Sequence, residues 1–288
     1  MSDMHSIQPT YGAHGLNLSD LRMPPLPSVR VPLAAPVVRR QDEYALAKPV
    51  APGQSASARE IVAAHFVRKS YRKGALVIPV LQGVELAVGE SEFVAIVGPS
   101  GCGKTTLLHL LATLDRPDTG EICFEGHRID NLPTAGRDIL RNRYFGMVFQ
   151  FYHLLPEFSV LENVLMPSMI GQSMLGYLMR RGTNRDRARR MLELVGLGHR
   201  LKHKPRELSG GEMQRTAIAR ALVSQPRVLL ADEPTGNLDK HTGEEIMAIL
   251  RRLNREQNLT IVMVTHDPHI AREADRTVTL VDGRVAAA

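Results

Sequence analysis

Tryptophan is absent from this 288-residue chain, and aromatic residues make up only 5% of it. A core built from such a composition has to be mainly aliphatic, and a hydrophobic content of 43% is enough to form one. Cysteine is nearly missing, with Cys102 and Cys123 the only two. Two thiols supply neither a disulfide framework nor the ligand spacing of a metal site, and they suit a reducing compartment. No run of 18 or more apolar residues occurs, so no segment reads as a bilayer span. The best stretch, residues 160–179, is interrupted by Glu162, Asn163, Pro167 and Gln172. The N-terminus lacks the basic-then-apolar order of a secretory leader, and Pro24, Pro25, Pro27 and Pro32 break it. If the protein works at a membrane, another chain has to supply the membrane part.

Acidic residues are outnumbered, 30 against 36 Lys and Arg, giving a formal charge of +6. The excess is concentrated in Arg180, Arg181, Arg185, Arg187, Arg189 and Arg190, and again in Arg251, Arg252 and Arg255. Such runs form a solvated helical face, or they meet an anionic membrane surface or an acidic partner. No aromatic residues are interleaved with them and no base-reading motif is visible, so no nucleic-acid partner is expected.

Residues 1–57 are rich in Pro, Ala and Ser without sustained periodicity and read as a disordered tail. Residues 58–288, about 230 in all, suit one α/β domain. Residues 61–71 alternate like a strand, a polar turn follows at residues 72–74, and residues 75–89 read as further strand pairs of a small antiparallel layer. Residues 91–97 form a short apolar strand. Leu107, Leu108, Leu110, Leu111 and Leu114 then recur at helical spacing. Residues 151–222 are mostly helical, including helices at residues 183–195 and 212–224. Buried strands are expected at residues 228–231 and 260–265, with a helix at residues 241–256 between them. A hairpin closes the chain at residues 275–285, turning at Asp282 and Gly283. Strands alternating with helices argue for a parallel-sheet core. No internal repeat is present.

Between the strand at residues 91–97 and the helix after it lies Gly98-Pro99-Ser100-Gly101-Cys102-Gly103-Lys104-Thr105, which fits G-x-x-x-x-G-K-[ST]. Gly98, Gly101 and Gly103 let backbone N–H groups converge on phosphate oxygens, where a Cβ would block the approach. The N–H groups of residues 101–106, through Thr106, sit at a helix N-terminus that favours an anion. Lys104 is placed to bridge β- and γ-phosphates, and the Thr105 hydroxyl to ligate Mg²⁺. Asp232 ends an apolar strand at the sheet edge where ligands bind, and is placed to hold Mg²⁺. Glu233 follows it and is placed to polarise the attacking water.

A second motif, Leu208-Ser209-Gly210-Gly211-Glu212-Met213-Gln214-Arg215, precedes the segment Val228-Leu229-Leu230-Ala231-Asp232-Glu233-Pro234-Thr235-Gly236-Asn237-Leu238-Asp239. With the phosphate loop, these runs resemble the ATP-binding cassette (ABC) ATPases over residues 61–285, departing only at Glu212 and Met213, where many members have Gln-Gln. The resemblance implies a P-loop NTPase α/β fold with a RecA-like parallel-sheet core, a small antiparallel β subdomain and a helical signature subdomain at about residues 151–222. It implies ATP and Mg²⁺ as cofactors and ATP hydrolysis as the reaction. Gln150 then senses Mg²⁺ and the γ-phosphate, His266 contacts the γ-phosphate, and Tyr71 stacks on adenine, with His65, Phe66 and Arg72 as nearby alternatives. Ser209, Gly210 and Gly211 contact the nucleotide of the other subunit in a head-to-tail homodimer, and Asp239 communicates across that interface. The resemblance further implies an integral-membrane permease as a separate chain and a place on the cytoplasmic face of the membrane. Residues 146–167 and 231–239 look most like the lipoprotein-releasing, macrolide-exporting and cell-division branch. The competing reading is a soluble cassette acting on ribosomes or nucleic acid.

Overall fold

The computed structural model describes residues 59–286; the expected tail at residues 1–57 lies outside them. Strand β1 (Glu60–Lys73) buries Ile61, Val62, Ala64 and Val67, turns at Gly74 and Ala75, and pairs antiparallel with β2 (Leu76–Gly89). Residues 76–89 form one strand rather than the expected pairs. Register shifts take up the irregularities: Val67 faces Val84 and Arg68 faces Gln82, so Gly83 is skipped. A bulge of this kind bends a strand without ending it. The other edge of β1 pairs with β4 (Thr119–Phe124), which carries β5 (His127–Arg128), giving the antiparallel order β2-β1-β4-β5.

The second sheet has six strands. They are β3 (Phe93–Val97), β6 (Phe145–Val148), β7 (Val228–Asp232), β8 (Thr260–Val264), β9 (Arg276–Val281) and β10 (Arg284–Val285), in the order β10-β9-β3-β8-β7-β6. All pairings are parallel except β9 with β10. Every residue of β7 and β8 is buried, as expected for strands covered on both faces.

Helix α1 (Lys104–Leu111) joins the two sheets into one core. Leu107, Leu108, Leu110 and Leu111 are fully buried, in a cluster with Val62, Val67 and Leu86 of the antiparallel sheet and Val94, Ile96 and Val262 of the parallel one. The helix stops at Leu111, and Thr113 takes a left-handed conformation (φ 57°), so Leu114 leaves the expected stripe and is exposed. Helix α2 (Thr134–Tyr144) has no sequence forecast; none of its residues is fully buried, so no strong apolar stripe marks it.

The helical region holds α3 (Val160–Ile170), α4 (Met174–Met179), α5 (Arg181–Leu194) and α6 (Gly210–Leu222). Ser159 and Glu162 form a capping box that starts α3. Helices α3, α5 and α6 pack on one another, and α6 also reaches β6 and α7 (Lys240–Gln257). One short helix, α8 (Pro268–Ala271), precedes β9.

Leu108→Ala should leave a cavity between the sheets and cost about 2–5 kcal/mol of stability. Urea unfolding of both proteins measures this directly.

Candidate functional site

Four parallel strands end at the same edge of the sheet. Val97 of β3 leads into the phosphate loop, Val148 of β6 is two residues before Gln150, Asp232 ends β7, and Val264 of β8 is two residues before His266. The register aligns them: Val148 faces Ala231, and Asp232 faces Val264. Carboxyl ends of parallel strands are where such sheets bind ligands.

The loop of residues 98–103 turns between β3 and α1 under tight steric limits. Gly98 has a φ of 154°, and a Cβ there would fall 2.0 Å from the Leu280 carbonyl oxygen. Pro99 and Ser100 follow, Gly101 and Gly103 both have positive φ, and Cys102 is buried beneath. Lys104 is buried, and its Nζ donates to the carbonyls of Gly98 and Pro99, each at 2.9 Å. The ammonium is therefore held across the loop mouth. Tyr71 lies beside the loop, its hydroxyl close to the Thr106 side chain and donating to Asp115 Oδ2 at 3.0 Å. Burial, then the Asp115 carboxylate, push the Tyr71 phenol upward. Lys69 Nζ sits 5.2 Å over the Tyr71 ring and pairs with Asp115 at 3.0 Å.

Thr105 and Asp232 meet across 127 residues of chain, the hydroxyl donating to Asp232 Oδ1 at 3.0 Å. Burial raises the Asp232 pKa, because water that would solvate the charge is excluded; the Thr105 hydrogen bond works against that. The backbone reverses at Glu233, a non-glycine residue at φ 45°, a conformation that costs of order 1–3 kcal/mol. Its N–H donates to Val264 O at 3.0 Å, and its Oε2 accepts from His266 Nδ1 at 3.0 Å. A carboxylate can only accept, so Nδ1 carries the proton. Gln150 and Glu233 converge on Gly236, where a Cβ would lie 3.1 Å from Glu233 Oε2 and 3.3 Å from Gln150 Nε2.

The structure thus brings together the loop, Asp232, Glu233, Gln150 and His266, with Tyr71 beside them. Ser209, Gly210 and Gly211 sit apart. Ser209 caps α6 and shares a capping box with Glu212, which also pairs with Arg200 at 2.8 Å. Among the described residues, no hydrogen bond joins residues 209–211 to residues 98–106. Asp239 caps α7, accepting from the N–H and hydroxyl of Thr242 at 3.0 and 2.7 Å.

Three positioning contacts escaped the sequence reading. Asn237 Nδ2 donates to Gln150 O at 2.8 Å. Gln214, fully buried in α6, donates to Pro234 O at 2.7 Å. Arg220 donates to the carbonyls of Tyr152 and His153, at 2.8 and 2.6 Å. Gln214 and Asn237 lie inside quoted motifs, so their positions were visible but their partners were not. Arg220 is a lone arginine on a helix and carries no sequence signal.

Known proteins resemble this chain in sequence and fold. The family profile described as ABC transporter matches residues 81–236. A lipoprotein-releasing system ATP-binding protein, LolD 2 of Rhodopirellula baltica, is 56% identical over 223 residues, covering 77% of this chain and 88% of that protein. The LolD of Geobacter metallireducens is 51% identical over 219 residues, or 76% and 95% of the two chains. Among solved structures, the dimeric bacterial ABC transporter cassette MJ0796 superposes with a TM-score of 0.72 at 40% identity, covering 79% of this chain and 97% of its own. The same cassette matches equally in a dimeric post-hydrolysis state bound to ADP and Pi.

The Asp232 environment sets a stability trade-off. Its native pKa lies above the unfolded value, so its contribution is greatest below the unfolded pKa of about 4 and is lost as pH rises through the native pKa. Asp232→Asn should therefore raise the Tm of the nucleotide-free protein at pH 7. The gain should shrink as pH falls through the native pKa and be gone below the unfolded value of about 4, which a calorimetric pH series would measure.

Proposed function

Because the chain belongs to the ABC transporter family, we propose that it is the ATP-hydrolysing subunit of a lipoprotein-releasing system, working as a homodimer on a separate membrane permease. The observation that carries the hydrolytic part is the run of contacts Thr105–Asp232 and Glu233–His266 at one sheet edge. The lipoprotein-releasing part is supported by relatives of that name at 51–56% identity. Those names also leave the ribosome- or nucleic-acid-directed reading without support.

ATP lies with its phosphates over residues 98–106 and its adenine against Tyr71. Loop N–H groups bind the phosphate oxygens, and Lys104 exchanges its two carbonyl partners for β- and γ-phosphate oxygens. The donors at the loop suit a small hard cation: a hydroxyl and a carboxylate 3.0 Å apart, with Gln150 at the end of a neighbouring strand, beside Glu233. Thr105, Asp232 and Gln150 would hold Mg²⁺, which when bound neutralises charge developing on the phosphates. Glu233, turned off the sheet edge by its left-handed backbone, orients the attacking water, and His266 fixes its carboxylate and reaches the γ-phosphate.

Ser209, Gly210 and Gly211 close over the γ-phosphate held by a second copy, with Asp239 at the same junction. The dimeric cassette that the fold resembles supports this. The permease engages the helical region; Asn237 ties Gln150 to the segment after Glu233, and Arg220 ties Tyr152 and His153 to α6. Among the described residues no helix is long and apolar enough to cross a membrane. This accords with a peripheral subunit on the cytoplasmic face, the place we assign to it.

Glu233→Gln should bind ATP and dimerise while losing about 10²–10⁴-fold in hydrolysis. Light scattering with ATP and Mg²⁺, together with a phosphate-release assay, checks both halves. A monomeric variant, or one that turns over at the parental rate, would refute the mechanism. The tagged variant should also copurify a membrane protein from detergent-solubilised cells; ribosomes in its place would refute the assignment.

A further inference from the structure

Helix α4 has an unusual surface for a six-residue element. Met174, Leu175, Leu178 and Met179 are 83, 71, 57 and 80% exposed. At 100° per residue these four positions fall within an arc of about 140°, so they form one face. The helix rests on α3 and α5, leaving that face bare. Met169 and Ile170, which end α3, are exposed as well.

The chain then becomes strongly basic. Arg180 and Arg181 follow Met179 directly, and Arg185, Arg187, Arg189 and Arg190 follow in α5. Among the described residues, the one carboxylate within ion-pair distance of this run is Asp186, 3.9 Å from Arg189. Arg180, Arg181, Arg185, Arg187 and Arg190 have no acidic partner at that range. Burial lowers the Arg187 pKa, and the charges of Arg190 and Arg180 lower it further. Among the described residues, Glu162 feels the charge of Arg185 only beyond ion-pair range, so most of this charge has no direct acidic partner.

We propose that α4 and the arginines after it form a lipid contact, with the apolar face in the headgroup–acyl boundary of an anionic bilayer and the guanidinium groups on lipid phosphates. Apolar side chains beside an unpaired basic cluster are the pattern of a helix lying in that boundary. At about 9 Å long, α4 is far too short to span the bilayer. The unpaired charge selects an anionic surface over a neutral one. This contact goes beyond ATP hydrolysis and permease binding, because it gives the subunit its own hold on the membrane.

The absence of tryptophan makes a direct test possible, since Leu178→Trp installs a single reporter. The full-length chain is mixed with phosphatidylcholine vesicles, with or without about one third phosphatidylglycerol. Emission should shift to shorter wavelength with the anionic vesicles and stay unchanged with the neutral ones. By co-sedimentation, a Leu175→Asn/Leu178→Asn variant and an Arg180→Glu/Arg181→Glu variant should each lose about 10-fold or more in vesicle affinity. Their ATPase rates should remain parental, showing that fold and hydrolysis are intact. The proposal is overturned if the protein binds vesicles without a spectral shift, if either variant binds like the parent, or if no binding occurs. A shift seen only with a copurified membrane protein in detergent also overturns it and gives the face to a protein partner.

Discussion

The hydrogen bond from Thr105 to Asp232 spans 3.0 Å in space and 127 residues in sequence. It joins the helix after β3 to the end of β7, two strands that are separated in the sheet by β8. It can form only if the parallel register is right, because a shift of one residue would point Asp232 to the other face. The same register puts Val264 opposite Asp232, close enough for its carbonyl to take the Glu233 N–H and for His266 to reach the Glu233 carboxylate. Sheet pairing is thus the alignment device of the whole site. It holds a desolvated carboxylate and a left-handed glutamate that an isolated peptide would avoid.

The helical region is tied to this site by polar contacts as well as packing. Asn163 is fully buried and exchanges hydrogen bonds with both backbone groups of Leu155, while its amide also reaches the carbonyls of Phe158 and Ser159. It fixes the loop that follows Gln150. Arg220 holds the same loop from α6, and Gln214 ties α6 to Pro234 beside Glu233. A buried donor that loses its partner keeps its desolvation penalty, so these contacts favour moving the loop, α6 and the Glu233 turn together. Such coupling suits a protein in which a chemical step at one edge must be felt in the helices.

Much of the site was legible because its chemistry demands particular residue types at fixed spacing. A phosphate loop needs glycines where backbone must approach an anion, and a lysine and hydroxyl right after it, so residues 98–105 announce themselves. The strand ending in Asp232 and Glu233 is equally plain, as four apolar residues and two acids leave few alternatives. Less local features were hidden. Helix α2 buries no residue completely, so periodicity was weak. Strand β4 opens on the polar run Thr119, Gly120 and Glu121 before its buried residues, β5 has only two residues, and β2 looked broken because a bulge and a proline interrupt its pattern. Leu114 looked like part of α1 until Thr113 turned the chain away.

The sequence by itself determined the class of chemistry, the loop that holds phosphate, the carboxylates that serve it and the alternation of strands and helices around them. These follow from local requirements: backbone freedom, side-chain type and apolar period. Tertiary structure alone decided which groups meet. Gln150 beside Glu233, the Glu233–His266 pair and the Asn237 and Arg220 clamps all join residues tens of positions apart. Their contact depends on strand order and register, which no single segment encodes. The bare face of α4 belongs to the same class, for its apolar residues could equally have faced the core. Only the packing of α3 and α5 leaves them outside.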